Sequence, residues 1–184
     1  MATVLVPVAD GSEEIEAVTV IDLLRRADIE VVVAGLGAGP VTASRGVVIT
    51  PDVALDEALE RDYDMIVLPG GGPGAEKLAA DRRINRLLEQ QLERGAGVGA
   101  ICAAPAVLAK AGLLRGRRAT SFPGALDGLD HGAELAEEPV VEDGPLVTSR
   151  GPGTAMDFAL ALIERLAGRG TRDRVEAGLQ RPAR

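Results

Sequence analysis

One cysteine and one histidine carry most of the nucleophilic and proton-transfer potential of this 184-residue chain. Cys102 follows the apolar run Gly97–Ile101 and precedes a helix-forming stretch, Ala103–Ala111. A residue between strand and helix sits on a sharp turn at a helix N-terminus. Unpaired N–H groups and the helix dipole there favour thiolate. The same strand–turn–helix arrangement presents the nucleophile in hydrolase elbows. Gly99, Ala100, Ala103 and Ala104 are small enough for such a turn, but they suit ordinary strand–helix packing equally. Free cysteine is also among the most buried residue types. A small buried hydrophobe is therefore the competing reading of Cys102.

Glu16 is the first candidate proton carrier. It lies between Ile15 and Ala17, near the start of an apolar helix face. A carboxyl turned toward the core beside a strand end can move protons, and burial would raise its pKa. Glu13 and Glu14 read instead as a solvated first helical turn. The run Gly70-Gly71-Gly72-Pro73-Gly74-Ala75 fits a dinucleotide-binding fingerprint, yet Gly95–Ala100 fits it too, before a strand. The match is weak on those grounds. Offering backbone N–H groups to an oxyanion near Cys102 is the alternative role for Gly70 and Gly71. His131 sits in a polar Gly-Leu-Asp-His-Gly stretch and reads as a loop histidine facing solvent.

The elements that must position these residues alternate along the chain. Apolar runs at Thr3–Val8, Glu30–Gly35, Met65–Leu68, Gly97–Ile101 and Leu146–Thr148 predict buried strands. Helices are expected from Gly11 to about Ala27 with a serine cap, over Asp56–Arg61, Ala75–Ala80, Arg82–Arg94, Ala103–Ala111 and Thr154–Leu166. In the first of them Ile15, Val18, Ile21, Leu23 and Leu24 form the apolar face. Val41–Thr50, turning at Ser44-Arg45-Gly46, predicts a hairpin. Arg117–Leu146 is the least regular stretch. The pattern is α/β, with a mostly parallel sheet between helical layers, in one domain over residues 1–184. The tail after about 170 is expected to be partly disordered. In such sheets ligands bind beyond the carboxyl ends of the strands, where Asp10–Glu16, Pro69–Gly74 and Cys102–Ala104 fall.

Composition narrows the function classes. The net charge is −8, from 20 basic and 28 acidic residues, which argues against nucleic acid and anionic membrane surfaces as partners. A single cysteine cannot form an intramolecular disulfide or a cysteine-based metal site, and it suits a reducing compartment. Met1–Val6 lacks a basic, long-apolar leader, and no apolar run approaches the ~20 residues of a membrane span. A soluble cytoplasmic protein without metal or cofactor is expected.

Taken together, Gly11-Ser12-Glu13-Glu14-Ile15-Glu16, Leu68-Pro69-Gly70-Gly71, Ala100-Ile101-Cys102-Ala103 and Thr148-Ser149-Arg150-Gly151-Pro152-Gly153-Thr154 resemble the ThiJ/PfpI superfamily. The resemblance is closest to the branch of the Parkinson-linked protein deglycase and bacterial YajL, and it covers almost the whole chain in order. It implies a flavodoxin-like, class I glutamine amidotransferase-like three-layer sandwich that forms a homodimer. Cys102 would be the elbow nucleophile. Glu16, protonated, would hydrogen-bond its sulfur and shuttle protons. Gly70, Gly71 and Ala103 would line the oxyanion pocket, with the N–H groups of Gly71 and Ala103 as donors. Arg45, reaching across the dimer, and Arg150 would supply positive charge, and Ser149–Thr154 a nearby wall.

Many relatives carry a histidine where this chain has Phe122, and protease-like members carry one where it has Ala103. A Cys-His-acid protease is therefore not expected, and His131 inherits no role. The resemblance implies glutathione-independent detoxification of a small dicarbonyl such as methylglyoxal, or deglycation of protein adducts. The alternative is an oxidative-stress sensor or chaperone whose Cys102 is oxidised to sulfinate.

Overall fold

The computed structural model describes residues 1–182. Its strands are β1 (Thr3–Val8), β2 (Glu30–Gly35), β3 (Val41–Thr42), β4 (Val48–Ile49), β5 (Val53–Ala54), β6 (Met65–Leu68), β7 (Gly97–Ile101), β8 (Arg118–Ala119), β9 (Glu134–Leu135), β10 (Val140–Asp143) and β11 (Leu146–Ser149). Its helices are α1 (Glu14–Arg26), α2 (Leu55–Ala58), α3 (Gly72–Ala80), α4 (Arg82–Glu93), α5 (Pro105–Lys110), α6 (Ala155–Ala167) and α7 (Arg169–Gly178).

A seven-stranded sheet runs in the order β10-β11-β7-β6-β1-β2-β5. Every pairing in it is parallel except β10 with β11. Alternation along β1 shows how the layers form, since successive strand residues face opposite ways. Val4, Val6 and Val8 pack toward α1 and α6. Leu5 and Ala9 pack on the other face, with Leu78, Leu88 and Leu108 from α3, α4 and α5. The result is the expected flavodoxin-like sandwich. The chain winds from β1 out to β5, then returns to β6 on the other side of β1. That reversal leaves a crevice beyond the carboxyl ends of β1 and β6, the usual ligand position in open α/β sheets.

Three expectations are corrected. The segment after about 170, expected to be partly disordered, is helical through Gly178 as α7, with Val175 buried in the core, and residues 183–184 lie outside the described residues. Ser12 is not the cap of α1. Glu13 caps it, its carboxylate accepting from the Glu16 N–H at 2.9 Å, while the buried Ser12 hydroxyl accepts from the Ala9 N–H at 3.0 Å. The inward face of α1 is Glu16, Ala17, Val20, Leu23 and Leu24, whereas Ile15 and Val18 are about half exposed.

Candidate active site

Cys102 follows β7 with φ at 64°. A non-glycine residue in this region costs on the order of 1 kcal/mol and persists where neighbours fix it. Here the Cys102 N–H donates to Ser149 O at 2.9 Å, and the Phe122 N–H donates to Cys102 O at 2.9 Å. The strand register sets the first bond, because Ser149 of β11 pairs with Ile101 of β7. The turn has the strand–turn–helix form expected of an elbow, and Cys102 is only 8% exposed.

Glu16 is fully buried in the first turn of α1. Its Oε2 accepts from the Gly70 N–H at 2.7 Å. Its Oε1 is buried with no hydrogen-bond partner among the described residues. Burial pushes this carboxyl up to about 7, against the pull of Cys102 and the Gly70 amide. The effect is mutual. Burial, then the charge of Glu16, pushes the Cys102 thiol up to about 12, against hydrogen bonds from the Gly71 and Ala103 amides. The helix N-terminus was expected to favour thiolate outright. Instead α5 starts only at Pro105, and desolvation outweighs the backbone donors. The pair shares its protons, and the first one to leave does so near neutrality.

The glycine loop exists for close approach. A Cβ on Gly70 would lie 2.6 Å from both Cys102 Cβ and Glu16 Oε2. One on Gly74 would lie 2.5 Å from Ser12 N. Gly71, at φ 84°, packs against the Gly11 carbonyl, and the Glu13 N–H donates to Gly70 O at 2.9 Å. These glycines dock the β6–α3 loop onto the β1–α1 loop, which accounts for the weak fingerprint without a nucleotide.

Gly70, Gly71 and Ala103 thus gather around Cys102 and Glu16. Arg150 is half-buried and donates from Nη1 to Glu137 O at 2.9 Å, in the wall of a hollow that also includes Phe122. Arg45 is exposed at the β3–β4 turn, donating to the neighbouring Ser44 O at 3.3 Å. His131 is half-buried in its loop, its Nδ1 accepting from the Ala133 N–H at 3.0 Å. Among the described residues no group of three or more His, Cys, Asp or Glu side chains is placed to hold a metal ion. None of their helices is long and apolar enough to cross a membrane.

Glu14 is a residue that the sequence reading missed. It is nearly buried, and its carboxylate accepts from the Ser44 hydroxyl at 2.7 Å and the Arg45 N–H at 2.8 Å. Nothing local to residue 14 announces partners some thirty positions away. Phe122, singled out in the sequence only for replacing a histidine of many relatives, is an exposed aromatic tethered to the elbow.

Comparison with known proteins agrees with this architecture. Residues 2–165 match the DJ-1/PfpI family. Protein DJ-1 homolog B of Arabidopsis thaliana is 49% identical over 179 residues, which cover 96% of this chain. The chain spans only 39% of that relative's length. A Caenorhabditis elegans relative named glutathione-independent glyoxalase DJR-1.2 is 38% identical over 167 residues, covering 91% of this chain and 89% of that protein. The crystal structure of Drosophila melanogaster DJ-1beta superimposes with a TM-score of 0.95 at 42% identity, covering 99% of each chain.

Proposed function

The chain belongs to the DJ-1/PfpI family, and from that premise we propose that it converts small 2-oxoaldehydes to 2-hydroxy acids without glutathione, with Cys102 as nucleophile and Glu16 as proton carrier. The observation that carries this reading is the buried Glu16 carboxyl, with a pKa near 7 and one unpartnered oxygen, beside the elbow thiol. An acid–base group is most effective when its pKa lies near the working pH. The C. elegans relative's name points to the same chemistry.

The steps balance without an external oxidant. Glu16 carboxylate takes the Sγ proton as sulfur bonds to the aldehyde carbon. The carbonyl electron pair becomes an oxyanion facing the Gly71 and Ala103 N–H groups, and protonation gives a hemithioacetal. Glu16 then removes the proton from the former aldehyde carbon, forming an enediol, and returns it to the neighbouring carbon. The product is a thioester: the aldehyde carbon is oxidised and the ketone carbon reduced. Water cleaves the thioester, releases the 2-hydroxy acid and restores the thiol. Consumption of free dicarbonyl also reverses its adducts on protein thiols and amines by mass action, which covers the deglycase activity.

A proton NMR time course of methylglyoxal tests this. We expect lactate far beyond one equivalent per chain, and none with Cys102→Ser. Dicarbonyl consumption that stops at one equivalent, with no lactate, would sink the enzymatic reading. It would favour a redox sensor, for which the same unpartnered Oε1, once protonated, would donate to a sulfinate oxygen on Cys102. We further propose that the functional unit is a homodimer, so that Arg45 of one copy serves the other's site.

A further inference from the structure

This chain contains three aromatic residues, two Phe and one Tyr. Phe158 is fully buried and Tyr63 is 2% exposed, as aromatic residues in a core should be. Phe122 is 49% exposed. Its place is fixed from both sides of the elbow. Its N–H donates to Cys102 O at 2.9 Å. Its ring lies 3.4 Å from the point where a Cβ on Gly151 would stand, a point only 4.0 Å from Cys102 Sγ. The one aromatic ring left outside the core is therefore held beside the thiol.

The ring also forms part of the wall of a hollow of about 230 Å³, with Pro123, Leu126, Leu135 and Ala136. Leu126 is 2% exposed and supplies a firm apolar wall, and Leu135, at 51%, lines the hollow from the surface. The charged groups there, Asp127, Glu137 and Arg150, are of mixed sign, and the Arg150 guanidinium is engaged by the Glu137 carbonyl. The hollow has room for a substituent larger than methyl, and its two carboxylates against one guanidinium do not favour an anionic one. Its lining combines an apolar side of Phe122, Pro123, Leu126, Leu135 and Ala136 with a polar side of Ser121, Asp127, Glu137 and Arg150, and small-molecule subsites join apolar walls to convergent polar groups in this way.

We infer that this hollow is the subsite for the carbon substituent of the substrate, and that Phe122 sets a preference for 2-oxoaldehydes with an aryl or branched alkyl group over those with none. The inference rests on the dicarbonyl reading above and specifies its substrate class. The aldehyde carbon meets Sγ, the carbonyl oxygen faces the Gly71 and Ala103 amides, and the substituent lies along the Phe122 ring. Phe122 makes no proton transfer and acts by apolar contact alone.

The test compares kcat/KM for phenylglyoxal and for glyoxal, which has no substituent. In Phe122→Ala the phenylglyoxal value should fall about tenfold, chiefly through KM, with glyoxal changed less than about twofold, while Phe122→Leu keeps most of the preference. Equal change for both substrates, or for neither, overturns the subsite. A second readout needs no turnover: the rate of Cys102 alkylation by N-phenyl iodoacetamide relative to iodoacetamide. If the protein converts neither dicarbonyl, the enzymatic reading fails. A drop in that alkylation ratio in Phe122→Ala still upholds the apolar subsite, and an unchanged ratio removes it.

Discussion

Glu16 and Cys102 act as one titrating unit. Below the carboxyl's pKa of about 7 both groups are protonated and the sulfur is a poor nucleophile. Above it the carboxylate can take the thiol proton, so a thiolate fraction becomes accessible well below the thiol's own position of about 12. Cys102 alkylation should therefore rise with pH through an apparent pKa near 7, the value of the coupled pair. In Glu16→Gln that inflection should vanish, leaving only the thiol's own alkaline titration. An inflection that persists near 7 in the variant would take Glu16 out of the proton path. Stability carries the same signature. The native carboxyl, at about 7, holds a proton that the unfolded one, at 4.5, has released. Its contribution is full below 4.5 and is lost as pH rises through 7, a fall of about 3 kcal/mol. Urea midpoints measured at pH 5 and 8 should show this fall in the wild type and its absence in Glu16→Gln.

The elements that hold this pair were largely legible in the sequence. β1, β2, β6 and β7 fall where their apolar runs lie, because buried parallel strands read as uninterrupted hydrophobic stretches. The elbow followed from a cysteine between such a run and a helix. What was not legible depends on partners distant in sequence. Ser12 looked like a helix cap, but its hydroxyl turns back to Ala9 because the β6–α3 loop crowds the β1–α1 loop. Ile15 and Val18 have helical spacing and still face outward, since the inward stripe of α1 includes Glu16, which no hydrophobic pattern would place there. Glu14 looked solvated, yet it clamps the β3–β4 ribbon, assisted by bonds from the Gly11 N–H to Thr42 O and the Ser44 N–H to Ser12 O, each 2.8 Å. Glu14→Ala should loosen that ribbon locally. Amide hydrogen exchange at residues 41–49 should speed up by about tenfold or more while β1 and β7 keep their protection. Uniform protection in both regions would mean that the backbone bonds alone hold the ribbon.

At the scale of the whole molecule one expected site residue stands apart from the thiol. Arg45, expected near the anion pocket, is exposed on the ribbon and bonds to its own turn. The ribbon and the adjoining start of α1 expose Ile15, Val18, Val47 and Val48, the last at 61%. These large apolar side chains lie on two elements tied together by Glu14, and they are the face on which the proposed homodimer would pack. A twofold axis through that surface would bury these residues against their own copies and carry Arg45 toward the neighbouring chain. The wild type should run as a dimer in size-exclusion chromatography with light scattering. Val48→Asp would bury two unpaired carboxylates there, at several kcal/mol, and should weaken association by roughly a hundredfold or more. If Arg45 serves the partner's site, Val48→Asp and Arg45→Ala should raise KM for the dicarbonyl alike, and the two changes combined should cost no more than either alone. A wild type that is monomeric at tens of micromolar would remove the shared site, and Arg45 would then have to act, if at all, from its own chain.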